Sequence, residues 1–182
     1  MVYIFLANGF EEIEALTVVD LLRRAQIDIK MVSIDGNETV TSSHSVTVKS
    51  DMSIADVNWD AADMLVLPGG MPGTNNLAEC DELMSHVKDF AVGGKYIAAI
   101  CAAPALTFGE SGLLNGKKAT CYPGMEEHMH GACAVTDEVV ADGNVITSRG
   151  MGTAIPFGLK IIETLKGEAV SKQIGDAIVY RQ

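Results

Sequence analysis

The sequence predicts an α/β protein built on a mainly parallel β-sheet with helices on both faces. Two observations carry this. Short apolar runs alternate with helical stretches along the whole chain, and the runs are apolar throughout rather than at every second position, as expected for strands covered on both sides. Val2–Ala7 reads as the first buried strand. Glu11–Gln26 follows as a helix, with Ile13, Leu16, Val19 or Val18, and Leu22 at helical spacing. Ile29–Ile34 is the next strand. Asp35-Gly36-Asn37 marks a turn, and Val40 with Val46–Val48 predicts a small hairpin ending near Lys49. Met64–Leu67 is a strand stopped by Pro68-Gly69-Gly70. A helix from Asp81 to Val92 ends at Gly93-Gly94, a glycine C-cap. Tyr96–Ile100 is a strand, followed by a short helix beyond Cys101. Val145–Thr147 is the last predicted strand, and Thr153–Leu165 the last predicted helix, with Lys160, Lys166 and Gly167 suited to its end.

The 182 residues suit one domain, 1–182, and no internal repeat or linker divides them. A net charge of -11 argues against nucleic acid or an anionic membrane as partner, because both require a basic face. No stretch approaches the ~18 apolar residues of a membrane span, and Val2–Ala7 is too short for a secretory signal. Cys80, Cys101, Cys121 and Cys133 form no CxxC pair and read as thiols of a cytoplasmic protein.

Sheets of this type place their sites beyond the carboxyl ends of the strands. The residues that matter most are therefore Asn8–Glu14, Pro68–Gly73, Cys101–Pro104 and Ser148–Gly152. Cys101 stands directly between a buried strand and a helix, in Ile100-Cys-Ala-Ala-Pro104. That placement is a nucleophile elbow: the small residues let the chain turn sharply, and Pro104 opens the helix. A sulfur facing a helix start is favoured as thiolate, so the sequence predicts a lowered pKa for Cys101. Gly69 and Gly70 free backbone N–H groups to point into the crevice. With the N–H of Ala102 they would make an oxyanion hole. Of Glu11, Glu12 and Glu14, one turned inward beside a thiolate would hold its proton and donate it in a hydrogen bond to sulfur, the two groups titrating as a pair.

Several motifs in order resemble the ThiJ/PfpI superfamily, specifically a bacterial-type member of its DJ-one branch. They are Ala7-Asn-Gly-Phe-Glu-Glu-Ile-Glu14, Leu21-Leu-Arg-Arg-Ala25, Val66-Leu-Pro-Gly-Gly70, Ala98-Ala-Ile-Cys-Ala-Ala-Pro104 and Thr147-Ser-Arg-Gly-Met-Gly-Thr153. The resemblance implies a three-layer α/β/α, flavodoxin-like sandwich of the class I glutamine amidotransferase-like kind, forming homodimers. It implies Cys101 as the reactive cysteine and Glu14 as its protonated partner. Gly69, Gly70 and Ala102 would surround an anion pocket, with Arg24 and Arg149 near it, Arg24 alternatively close to the dimer interface. It implies action on small reactive aldehydes or glycated adducts, by glyoxalase or deglycase chemistry, with no cofactor and no metal. A second implied reading is a redox sensor or chaperone-like stress protein acting through Cys101 sulfinic acid.

Three departures from the family stand out. The histidine that many relatives carry near the cysteine is read here as Cys121. His44 stands where animal members have an arginine, which would make an anion site weaker or pH-dependent. Ala102 follows the cysteine where protease-like branches have histidine, which removes their Cys–His–acid triad and argues against a peptidase. A hydrolase of the glutamine-amidotransferase type is disfavoured for the same missing histidine. Cys121, His128, His130 and Cys133 are metal-ligand types, but their spacing matches no familiar zinc pattern and they read as a polar surface. Arg149-Gly-Met-Gly152 reads as a tight turn rather than a dinucleotide fingerprint. His86 reads as solvated, and Trp59 as a packing residue.

Overall fold

In the computed structural model, which describes residues 1–181, a seven-stranded sheet runs through the molecule. The chain forms β1 (Val2–Leu6), α1 (Glu12–Arg24), β2 (Ile29–Ser33), the hairpin β3 (Thr39–Thr41) and β4 (Thr47–Lys49), then β5 (Met52–Ser53) and β6 (Met64–Leu67). It continues through α2 (Gly73–Ala78), α3 (Asp81–Gly93), β7 (Tyr96–Ile100), a π-helical segment (Pro104–Gly109), β8 (Lys118–Ala119), β9 (Cys133–Ala134), β10 (Val139–Asp142), β11 (Val145–Ser148), α4 (Ala154–Lys166) and α5 (Glu168–Ala177).

The sheet order is β10-β11-β7-β6-β1-β2-β5, and every pairing is parallel except that of β10 with β11. This is the three-layer, flavodoxin-like arrangement. Its core lies in two layers because side chains alternate across the strands. On one face Val2, Ile4 and Leu6 of β1 meet Val18 and Leu22 of α1 and Phe157 and Ile161 of α4. On the other, Tyr3 and Phe5 meet Leu83, Val87 and Phe90 of α3. Gly158 allows α4 to approach α1 closely: a Cβ there would lie 2.6 Å from Leu21 Cδ1. Glu11 caps α1 by accepting from the N–H of Ile13, and Gly94 ends α3 in the left-handed conformation at φ 77°.

The predicted strands and helices are present, with ends shifted by a residue or two, and the hairpin forms as β3 and β4. The structure adds α2, α5, β5, β8, β9 and β10. His86 is corrected: it is half-buried, its ring stacked 3.8 Å from that of Trp59, which in turn stacks on Phe5. The ring faces take Trp59 into packing and draw His86 along with it.

Strand order fixes where the crevice opens. The chain leaves β1 in one direction for β2 and returns to the other side for β6. The carboxyl ends of β1 and β6 therefore flank a topological switch point, where such sheets hold ligands. The segment after β1 leads to Glu14, the segment after β6 is Pro68-Gly69-Gly70, and Cys101 follows the neighbouring β7.

Candidate active site

Cys101 occupies a left-handed backbone conformation at φ 67°, which a side chain rarely adopts and which costs about 1–3 kcal/mol. Hydrogen bonds clamp it on both sides. Its N–H donates to the carbonyl of Ser148 at 3.0 Å, and its carbonyl accepts from the N–H of Tyr122 at 2.8 Å. The turn throws the thiol out of the sheet into the crevice, where it is partly exposed. The backbone N–H groups of Ala102 and Gly70 point at the sulfur and favour its thiolate.

Glu14 lies on the buried side of α1, with only 1% of its surface exposed. Its Oε2 accepts from the N–H of Gly69 at 2.8 Å. Gly69 is the point where the two reactive groups meet. A Cβ there would stand 2.7 Å from Glu14 Oε2, 2.6 Å from Cys101 Cβ and 3.0 Å from Cys101 Sγ. Glycine is required at this position because the carboxyl and the thiol fill the space. Gly70, at φ 92°, is held equally tightly: a Cβ would collide with Glu11 N at 2.3 Å.

Burial pushes the Glu14 carboxyl up to about 7, against the pull of the Gly69 N–H and the Cys101 hydrogen bond. Burial is also the largest influence on Cys101. With the Glu14 charge it pushes the thiol up to about 12, against the N–H groups of Ala102 and Gly70. The expectation that a helix start alone would lower the Cys101 pKa is thus corrected, because desolvation outweighs it. The two groups behave as one acid pair that carries a single proton between about 7 and about 12. Two negative charges cannot share so dry a site.

The remaining residues named from sequence are placed differently. Arg24 is not at this pocket. It lies ten residues beyond Glu14 on α1, about 15 Å along the axis, exposed and paired with Asp20 at 2.6 Å. Arg149 follows β11 and donates to the carbonyl of Thr136 at 3.0 Å. Its charge acts on Cys121, opposing the burial and the Glu126 charge that push that thiol up to about 11. Cys121 itself is buried in the core on the α3 side of the sheet and is an ordinary packed thiol. The residue that this loop turns toward the site is Tyr122. Its ring lies 3.5 Å from where a Cβ on Gly150 would be, and Glu14 Oε1 lies 3.9 Å from the same point. Sequence reading passed over Tyr122. Tyr122 stands in a bend beyond β8, where no strand or helix period signals which way a side chain faces.

His44 is exposed, and its Nδ1 sits 3.2 Å from Glu12 Oε2 and 3.5 Å from Glu11 Oε2. These carboxylates raise its pKa and hold the imidazole at the outer side of the α1 start. Glu11, Glu12 and His44 form the one group of three metal-ligand residue types, among the described residues, whose ligand atoms all lie within 4.8 Å of one another. The four residues weighed for zinc do not assemble: Cys121 is buried, Cys133 is exposed, and His128 and His130 both bond to Glu110, at 2.6 and 3.2 Å.

Fold and site together define an open α/β protein of the flavodoxin-like class with a cysteine elbow and a buried carboxyl at its switch-point crevice. Residues 1–164 match the DJ-1/PfpI family, and the chain belongs to that family. It is 39% identical over 181 residues to Protein DJ-1 homolog B of Arabidopsis thaliana, covering 99% of this chain and 41% of that longer protein. The Caenorhabditis elegans protein named Glutathione-independent glyoxalase DJR-1.2 is 33% identical, covering 86% of this chain and 83% of its own. The solved structure of oxidized Toxoplasma gondii DJ-1 superposes with a TM-score of 0.95 at 35% identity, covering 100% of this chain and 98% of that one. Among the described residues no helix is long and apolar enough to cross a membrane.

Proposed function

We propose that this protein is a cofactor-independent glyoxalase that converts 2-oxoaldehydes such as methylglyoxal to 2-hydroxy acids through Cys101. The observation that carries the reading is the meeting of Cys101 Sγ and Glu14 Oε2 around Gly69, with the N–H groups of Gly70 and Ala102 aimed at the sulfur. The relative named a glutathione-independent glyoxalase supports it.

In this reading Glu14 keeps the shared proton and sulfur carries the charge. Sulfur attacks the aldehyde carbon, a C–S bond forms, and the carbonyl oxygen takes the proton as the hemithioacetal closes. Glu14, now a carboxylate, removes the hydrogen of the former aldehyde carbon as a proton and returns it to the ketone carbon by way of an enediolate, while the hydroxyl proton on the first carbon's oxygen passes to the ketone oxygen. The first carbon is thereby oxidised to a thioester and the second reduced to an alcohol, with no outside oxidant. Water cleaves the thioester, releasing the hydroxy acid and restoring the thiol. The N–H groups of Gly70 and Ala102 stabilise the oxygen anions on this path.

Lactate formation from methylglyoxal, in a buffer free of aldehyde-reactive amines, tests the proposal. Cys101→Ser is expected to abolish it and Glu14→Gln to reduce it at least about 100-fold, the scale of general acid–base catalysis. Full activity in Cys101→Ser ends the reading. Deglycation of early carbonyl adducts would use the same thiol and is proposed as a side activity of the same site. We also propose a cytoplasmic homodimer of this single domain; the exposed Ile13 and Ile155 supply apolar surface for the contact.

A second reading, a redox sensor, draws on the partly exposed sulfur with two N–H donors aimed at it, a cradle suited to a sulfinate. It predicts two oxygens added at Cys101 after mild peroxide, read by intact and peptide mass.

A further inference from the structure

We infer that Tyr122 is a specificity-determining wall of this crevice, selecting uncharged 2-oxoaldehydes with a flat apolar substituent, aryl above methyl. The inference rests on the proposed carbonyl chemistry and names the substrate class for it.

Three observations lead there. First, Tyr122 is tied to the nucleophile, since its backbone N–H donates to the carbonyl of Cys101 at 2.8 Å. Its ring rests over Gly150, with Cδ2 and Cε2 at 3.5 and 3.8 Å from where a Cβ would stand, and Glu14 Oε1 reaches the same point at 3.9 Å. The ring and the outer oxygen of Glu14 are therefore neighbours across one glycine. Tyr122 as a residue is nevertheless 52% exposed, so it has surface free to meet a ligand.

Second, exposed apolar residues adjoin the site residues in the chain. Met71 follows Gly70, and Met151 follows Gly150, whose backbone Tyr122 and Glu14 approach. Both are about half-exposed, as Tyr122 is. Large apolar side chains left in water next to a reactive group mark a place where apolar ligand surface is covered.

Third, among the described residues of this protomer, the three cations expected at the pocket are engaged elsewhere. Arg24 is paired with Asp20, Arg149 is spent on the carbonyl of Thr136, and His44 is held by Glu11 and Glu12. The charge of the acid pair sits on the sulfur itself, and the Glu11 charge is felt at Glu14. A substrate carboxylate or phosphate would meet repulsion without a partner. A neutral aryl group meets a ring on which to stack, which favours it by about 3- to 10-fold.

The test compares kcat/KM for phenylglyoxal and methylglyoxal in wild type, Tyr122→Phe, Tyr122→Leu and Tyr122→Ala. A turnover-independent measurement runs beside it: the rates at which Cys101 is alkylated by phenacyl bromide and by bromoacetone. In both of these the sulfur forms a C–S bond and bromide leaves. The aryl-to-methyl ratio is expected to exceed one in wild type after correction for reaction with a free thiol. It should persist in Tyr122→Phe and fall about 3- to 10-fold in Tyr122→Ala and Tyr122→Leu. An unchanged alkylation ratio in the folded Ala or Leu variant overturns the inference. A ratio that falls in a protein with no turnover of either aldehyde upholds the wall and overturns the proposed reaction. Turnover with an invariant ratio does the reverse.

Discussion

Glu14→Gln decides where the shared proton of the site resides. In wild type the pair releases its first proton near about 7 and its second near about 12. The proposed chemistry requires the first release to produce the thiolate, with the carboxyl still protonated. Ultraviolet thiolate absorbance, corrected with Cys101→Ser for the other cysteines, should then rise with a midpoint near 7. Glutamine keeps a donor in place but replaces an acid O–H with a weaker amide N–H. A hydrogen bond to a charged group is worth about 1.5–3 kcal/mol, and losing roughly half of it, about 1.4 kcal/mol, moves the midpoint one unit upward to roughly 8. The opposite arrangement gives the opposite sign. Were the carboxylate the charged member, the thiol would titrate near about 12, and removing its negative neighbour would bring the midpoint down. A midpoint that falls on Glu14→Gln therefore refutes the thiolate assignment and the mechanism built on it.

The Glu14–Cys101 pair also links stability to pH. Burial holds back its first proton to about 7, whereas an ordinary glutamate releases its own near 4.5, so the folded protein holds a proton that the unfolded chain has already released in between. Stability should fall by up to about 3 kcal/mol as pH rises across that window, and urea midpoints measured from pH 4.5 to 7 should be flatter in Glu14→Gln. Gly69→Ala pushes a methyl into the thiol and carboxyl. We expect a folded protein destabilised by about 1–3 kcal/mol, with iodoacetamide labelling of Cys101 slowed at least about tenfold, read by denaturation and by mass. Phe157→Ala empties a fully buried site between α4 and the sheet and should cost about 3–5 kcal/mol in denaturant unfolding.

The legible parts of the fold were those whose residues announce their own burial. β1, β6 and β7 are unbroken apolar runs, and α1, α3 and α4 carry regular apolar faces with clear ends. What escaped depends on tertiary context. β5, β8 and β9 are two residues each and exist only through pairing. α5 contains Ser171 and Gly175 and few apolar residues. It forms because it packs on α4, where Ser171 Oγ donates to the carbonyl of Leu159 at 2.8 Å. The meeting of Glu14, Gly69, Gly70 and Cys101 was readable because each follows a strand at the same sheet end. Within one chain Arg24 falls away from the pocket because motif order says nothing of distance along a helix. Tyr122 was missed because its partner in the site, Gly150, is nearly thirty residues away in sequence.

The clamp on Cys101 has a consequence for any chemistry at sulfur. Its carbonyl is bound to Tyr122 and its N–H to Ser148, at a backbone angle that most residues avoid. The nucleophile thus has no freedom to retreat once it has gained an adduct or an oxygen, and whatever is attached must be housed by the walls around it. Tolerance of a given modification becomes a question of the shape of those walls, and remodelling them should change which adducts persist without altering how the thiol is presented.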